Sequence, residues 1–188
     1  KAVWNKMPLD AEYAAQAAAN DGWIRADRWY FVSTKTSPVR GFANGAVRLR
    51  FRWVKDGVLT VSLRRDTVPG GGGQRRVAIR CGQDGNLQLF PEGDQNTRVR
   101  ESWIVPRPLP GSEGTLEFAV IGNKAVARVN DVVLSTWQVP MDYGAGNFDL
   151  GNGYPDRQIA VKNVEYTNLD GVPNPEAVLG WEFPENAG

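Results

Sequence analysis

Thirteen residues, GAVRLRFRWVKDG at 45–57, set three arginines in strict alternation with apolar side chains. Arg48, Arg50 and Arg52 fall on one parity, and Val47, Leu49, Phe51 and Trp53 on the other. Period-2 alternation marks a half-buried strand, so the apolar set faces a core and the three guanidiniums share the opposite face. Side chains two residues apart on such a face lie about 7 Å apart, close enough for like charges to repel. The polar parity continues through Thr60, Ser62 and Arg64, then Arg76 and Arg80, then Gln88. If these segments are neighbours in one sheet, they form a basic patch on its outer face. A guanidinium is a planar fork that binds carboxylate, sulfate or vicinal hydroxyls through paired hydrogen bonds. The nearest acids in sequence, Asp56 and Asp66, sit at strand ends. The arginine row therefore faces either acidic side chains from distant strands or an anionic or hydroxyl-rich ligand.

Other reactive groups are few. The chain has no histidine, which removes Ser-His-Asp and Cys-His catalysis and the commonest zinc and copper ligand. Cys81 is the single cysteine, so no intrachain disulfide exists, and its parity with Val77 and Ile79 predicts a buried, inert thiol. The run GGGG at 70–73 lacks the Lys-Ser/Thr of a phosphate loop and precedes a strand, so it reads as a hairpin loop. The loop DQNTRVRES carries no recognisable chemistry. Of the seven tryptophans, Trp23, Trp29, Trp53 and Trp137 lie in apolar parity and read as core, while Trp103 and Trp181 are candidates for stacking on a sugar ring. In DLGNGYPD, Asp149, Asn152 and Asp156 supply oxygen donors suited to Ca²⁺, although the same residue types build ordinary turns.

These groups need a scaffold, and 188 residues fit one domain with a sizeable core. With 22 basic and 21 acidic residues the net charge is +1, so nothing drives the chain toward nucleic acid, and any basic site must be local. No apolar run approaches the ~18 residues of a membrane-spanning helix, and no membrane insertion is expected. The first residue is Lys1 rather than Met, so the chain reads as an excised fragment and the lack of a targeting segment decides nothing. The compartment stays open, with an extracytoplasmic one favoured.

The segment PLDAEYAAQAAAND predicts one helix, with Asp10 as N-cap and Gly22 as the left-handed stop. Strands are predicted near 23–31, 46–54, 58–65, 75–81, 86–90, 101–105, 114–121, 124–129, 132–138, 146–150 and 158–168. Short strands joined by Gly-, Asn- and Pro-bearing turns indicate an all-β antiparallel sandwich. The expected organisation is a lead-in and helix at 1–21, a sandwich at 22–171, and a tail at 172–188 that forms an edge strand or packs across the sandwich.

Two stretches carry a family resemblance. TLEFAVIGNKAVARVNDVVLSTWQV, 115–139, resembles the three-strand meander of concanavalin A-like sandwiches, laminin-G-type modules included. RQIAVKNVEYTNLDG, 157–171, is similar to the closing strand of the 3-keto-disaccharide hydrolase domain family, with Val161, Asn163, Val164, Tyr166, Leu169 and Gly171 in the matching positions. GAVRLRFRWVKDGVLTVSLRRD resembles that family's early hairpin, with Arg64 or Arg65 at its arginine. The sequence departs from the family at VLTVS and at EGTLEF. The resemblance implies a concanavalin A-like jelly roll of two antiparallel sheets, one of them concave with an outer face where saccharides lie. Similar sandwiches follow bacterial Ser/Thr kinases as C-terminal modules. Some laminin-G-type relatives bind Ca²⁺ at the sandwich rim, in line with Asp149, Asn152 and Asp156. Laminarinase-type relatives carry Glu-x-Asp-x-x-Glu on one strand, and this chain has no such string.

Three functions are expected from this reading. The first is a non-catalytic module that binds a saccharide or another polyhydroxylated or anionic ligand through Arg48, Arg50, Arg52, Arg64, Arg80, Gln88 and Trp103. The second is a hydrolase of the 3-keto-glycoside type, using Arg64 with a carboxylate such as Glu117 or Asp149. The third is a structural or sensor module whose partner is another domain of its own chain.

Overall fold

The structure, a computed structural model, describes residues 1–27, 32–33, 41–55, 58–67, 74–82, 86–92, 101–104, 113–139, 144–152 and 158–183. Asp156, Trp29, the GGGG run and the 93–100 loop lie outside the described residues. The chain opens with β1 (Asn5–Lys6), α1 (Ala11–Ala19), β2 (Ile24–Arg25) and β3 (Val32–Ser33). Five longer strands follow: β4 (Gly45–Lys55), β5 (Val58–Thr67), β6 (Gln74–Gly82), β7 (Asn86–Glu92) and β8 (Glu101–Ile104). The meander is β9 (Glu113–Ile121), β10 (Lys124–Val129) and β11 (Val132–Gln138). The last elements are β12 (Asn147–Gly151), β13 (Gln158–Asn168) and α2 (Pro175–Leu179).

Two antiparallel sheets form the concanavalin A-like jelly roll expected from the sequence. A seven-stranded sheet runs β1-β13-β4-β9-β10-β11, with β2 also on β13, and a six-stranded sheet runs β3-β12-β5-β6-β7-β8. The apolar parity of each strand faces the space between them. Val47, Leu49, Phe51 and Trp53 of β4 and Leu116, Phe118 and Val120 of β9 meet Leu59, Val61, Leu63, Val77, Ile79, Phe148 and Leu150 of the other sheet. Cys81 is buried in the same cluster, as its parity predicted. Trp53, Phe118 and Phe148 are fully buried, each stabilising the fold by about 1.5–3 kcal/mol.

Turn chemistry sets the meander. Gly122 takes φ 59 between β9 and β10, and Asn130 and Asp131 take φ 51 and 65 between β10 and β11, the positive pair a tight hairpin requires. The α1 helix is shorter than the predicted segment. Asp10 precedes it in extended backbone without a side-chain capping bond, and Gly22 at φ 88 turns the chain toward β2. Tyr13, at 1% exposure, anchors it to the core, and its hydroxyl donates to Asp27 at 2.6 Å.

The tail departs from an edge strand. It forms α2, opened by Pro175 and closed by Gly180 at φ 76, and it packs across the outside of the seven-stranded sheet. There Leu179, Trp181 and Phe183 join Ala2 and Trp4 over Ala46, Ala119 and Val126, building a second apolar core. No helix among the described residues is long and apolar enough to cross a membrane.

Candidate functional site

The arginine row of β4 lies on the outer face of the seven-stranded sheet, and register supplies its neighbours. Arg48 stands between Glu165 of β13 and Glu117 of β9, and Arg128 of β10 stands beyond Glu117. The charge alternates along that row. Arg48 Nε donates to Glu165 Oε1 at 3.0 Å, and Arg128 Nη1 lies 3.5 Å from Glu117 Oε2. Two residues along, Arg50 is flanked by Lys162 and Thr115, then Arg52 by Ala160 and Glu113. Glu113 accepts from Arg50 Nη2 at 2.6 Å and from Arg52 Nη2 at 2.9 Å. The acids facing the arginines thus come from strands more than sixty residues away in sequence, where no local pattern reveals them.

Tryptophans order the same guanidiniums. Arg48 sits 4.1 Å over the Trp4 ring and Arg52 4.1 Å over the Trp23 ring. Trp181 stacks on Trp4 at 6.4 Å, with Arg128 5.1 Å over it, so this sugar-stacking candidate is a packing residue of the second core. The hydrogen bond from Arg52 holds the Glu113 carboxyl below its ordinary range. Burial pushes Glu117 the other way, above the usual carboxylate range, against the pull of Arg128.

The remaining candidates do not extend that row. Although β4 and β5 are consecutive, they belong to different sheets, so the single basic patch expected from the sequence is split. Alternation reports which parity faces the core, not which sheet a strand joins, and that is the reason for the correction. On the six-stranded sheet one register row reads Gly151, Thr60, Arg80, Gln88 and Ser102 across five strands. The register row two residues along reads Ser33, Asp149, Ser62, Ala78 and Phe90, with Asp149, Ser62 and Ala78 buried. The structure therefore brings Arg80 and Gln88 together as neighbours, the latter through its backbone position. Trp103 pairs with Leu87, opposite Cys81, so it stands in the row next to that of Arg80.

Arg64 joins neither patch. A bulge between Leu63 and Asp66 gives it φ 54 and buries it to 3% exposure. Its Nε donates to the Ala43 carbonyl at 2.7 Å and its Nη2 to Asn44 Oδ1 at 3.2 Å. Burial lowers its pKa from the ordinary arginine value, with Asp170 opposing. The neighbouring residue, Arg65, is the one that meets Asp149, with Nη1 2.9 Å from Oδ2. The pairing of Arg64 with Asp149 expected for a hydrolase is thus taken by Arg65. The sequence left Arg64 and Arg65 as alternatives for that arginine, and the bulge, by shifting the parity of β5, brings Arg65 to Asp149.

For calcium, Asp149 is ion-paired with Arg65 and Asn152 donates its Nδ2 to the Ala26 carbonyl at 2.8 Å. Among the described residues no group of three or more acidic, histidine or cysteine side chains gathers as metal ligands.

No family model and no curated protein matches the chain. Solved structures do. A provisionally named glycosyl hydrolase of Parabacteroides distasonis superposes with a TM-score of 0.60 at 13% identity, over 89% of this chain and 100% of that one. The CBM40 module of the Ruminococcus gnavus IT-sialidase, bound to α2,6-sialyllactose, gives 0.56 at 9% identity over 94% and 97%. Sheep galectin-11, in complex with glycerol, gives 0.51 at 17% identity over 68% and 92%. At such identities the likeness is one of fold.

Proposed function

We propose that the protein is a non-catalytic carbohydrate-binding module whose ligand lies on the outer face of the six-stranded sheet. The observation that carries this reading is the register that sets Thr60, Arg80, Gln88 and Ser102 in one row across β5 to β8. Beside it, Arg76 Nη1 donates to Ser62 Oγ at 3.4 Å, and the buried Arg65–Asp149 pair stiffens the floor. Residues of these types at neighbouring register positions suit a hydroxyl-rich ligand, because hydroxyl, amide and guanidinium groups are directed donors or acceptors. The fold likeness to a galectin and to a module crystallised with sialyllactose supports a saccharide as that ligand. Arg48 of the seven-stranded sheet, matched by Glu165, falls outside this site.

A glycan array followed by calorimetry tests the reading. A saccharide should bind, and Arg80→Ala and Gln88→Ala should each weaken it by about tenfold or more. Failure to bind any glycan, or silence of both variants, overturns it. A second reading, a hydrolase acting on glycosyl compounds, is favoured by the Parabacteroides likeness. Turnover of a 3-keto-disaccharide would select it.

A further inference from the structure

A cleft of about 650 Å³ opens on the other sheet beside the end of α1 and β2, with Arg52 of β4 and Ala160 of β13 in its lining. Gln16, Asn20, Asp21, Trp23, Arg25 and Arg52 line it. We propose that this cleft is a second binding site, selective for an acidic saccharide unit, on the face opposite the one assigned above.

The argument begins with a charge mismatch. Whereas Arg48 has its own carboxylate, Arg50 and Arg52 share Glu113. Lys162 approaches the Trp23 ring to 5.6 Å, and its acidic partner is Asp21, which is 95% exposed. Arg25, exposed on β2, adds a further cation. Around Trp23, four cations therefore face two carboxylates, both open to water and weak as counter-ions. Trp23, at 8% exposure, is not a stacking platform for a sugar. It serves as the post against which Arg50, Arg52 and Lys162 are held, and Gly22 leaves room for the Lys162 stem, which would stand 3.0 Å from a Cβ there. Cations held in place on a ring lose little freedom when an anion docks.

The amides supply what a bare anion site lacks. Asn20 Nδ2 donates to the Gln16 carbonyl, and Gln16 Oε1 accepts from the Arg25 N–H. Asn20 Oδ1 and Gln16 Nε2 keep capacity for ligand hydroxyls. A carboxylate or sulfate on the guanidiniums with hydroxyls on the amides describes an acidic sugar. A nucleic acid fits poorly, because Glu113, Glu117 and Glu165 interrupt any basic track along the sheet.

The test uses oligogalacturonate, sulfated dextran oligomer, neutral dextran oligomer and single-stranded RNA as probes, with Arg25→Glu and Arg52→Gln as variants. Arg25 is exposed, so its variant keeps the fold in place if the Arg52 variant does not. At least one acidic oligosaccharide should bind tenfold tighter than the neutral one, weaken with salt, and lose at least tenfold in Arg25→Glu. Whichever acidic probe binds more tightly identifies the acid group. Equal affinity for the neutral probe, tighter binding of RNA, or an unaffected Arg25→Glu overturns the proposal. Acidic-glycan binding abolished by Arg80→Ala but kept in Arg25→Glu would place the ligand on the six-stranded sheet instead. That separates failure of this site from failure of the first.

Discussion

Arg65 and Asp149 form a buried ion pair, Nη1 to Oδ2 at 2.9 Å, with 9% and 1% of their side chains exposed. They come from β5 and β12, neighbours in the six-stranded sheet but more than eighty residues apart in the chain. Such a pair adds little over an apolar isostere, yet breaking it strands a charge out of water. Asp149→Ala should destabilise the fold by about 3–5 kcal/mol, measured by urea unfolding. Asp149→Leu combined with Arg65→Met should recover most of that loss. Because Arg65 already answers the Asp149 charge, millimolar calcium should leave the melting temperature unchanged relative to chelator.

Arg64 clamps the bulge of β5 to the entry of β4 through the Ala43 carbonyl and Asn44 Oδ1. Asn44 Oδ1 also accepts from the Gly122 N–H at 2.9 Å, so one amide joins three segments. Losing the charged hydrogen bonds in Arg64→Ala should cost on the order of 2–3 kcal/mol by chemical denaturation. Arg64→Gly should be milder by about 1 kcal/mol, since φ 54 suits glycine. A glycine variant no more stable than the alanine one would remove backbone strain from the account.

Gly146 lies against the same bulge, where an added Cβ would stand 2.5 Å from the Arg64 backbone carbon. Gly146→Ala should therefore cost about 1–3 kcal/mol, read as a lowered urea midpoint with unchanged slope.

Glu117 makes stability depend on pH in a definite sense. Burial raises its folded pKa above the ordinary 4.5, so the folded state holds its proton more tightly than the unfolded chain. Its contribution is favourable below that range and is lost as pH rises through the folded value. Glu113, held low by Arg52, acts oppositely and loses its contribution as pH falls. Glu117→Gln should thus compare better with the parent at about pH 7 than at about pH 4, in paired thermal melts.

Glu113→Gln removes the carboxylate shared by Arg50 and Arg52. Binding of an acidic oligosaccharide in the Trp23 cleft should strengthen several-fold, with a steeper salt dependence. Weaker binding would mean that Glu113 positions the arginines rather than competing with the ligand.

Alternation in GAVRLRFRWVK determined a strand, its buried face and its arginine face, because the period of two is local backbone geometry. Asn130-Asp131 and Gly122 likewise determined two turns, since positive φ narrows the residue types that fit. The polar parity of Thr60, Arg80 and Gln88 was readable in the same way, while their standing in one row was set by the register of β5, β6 and β7. Only the tertiary structure decided that β4 and β5 part into different sheets, because sheet membership depends on long-range pairing. It also decided that Glu113 and Glu165 face the arginines, and that one bulged residue turns Arg64 into the interior while Arg65 takes Asp149. A single extra residue inverts every parity downstream of it, and the free energy that pins it comes from partners far along the chain.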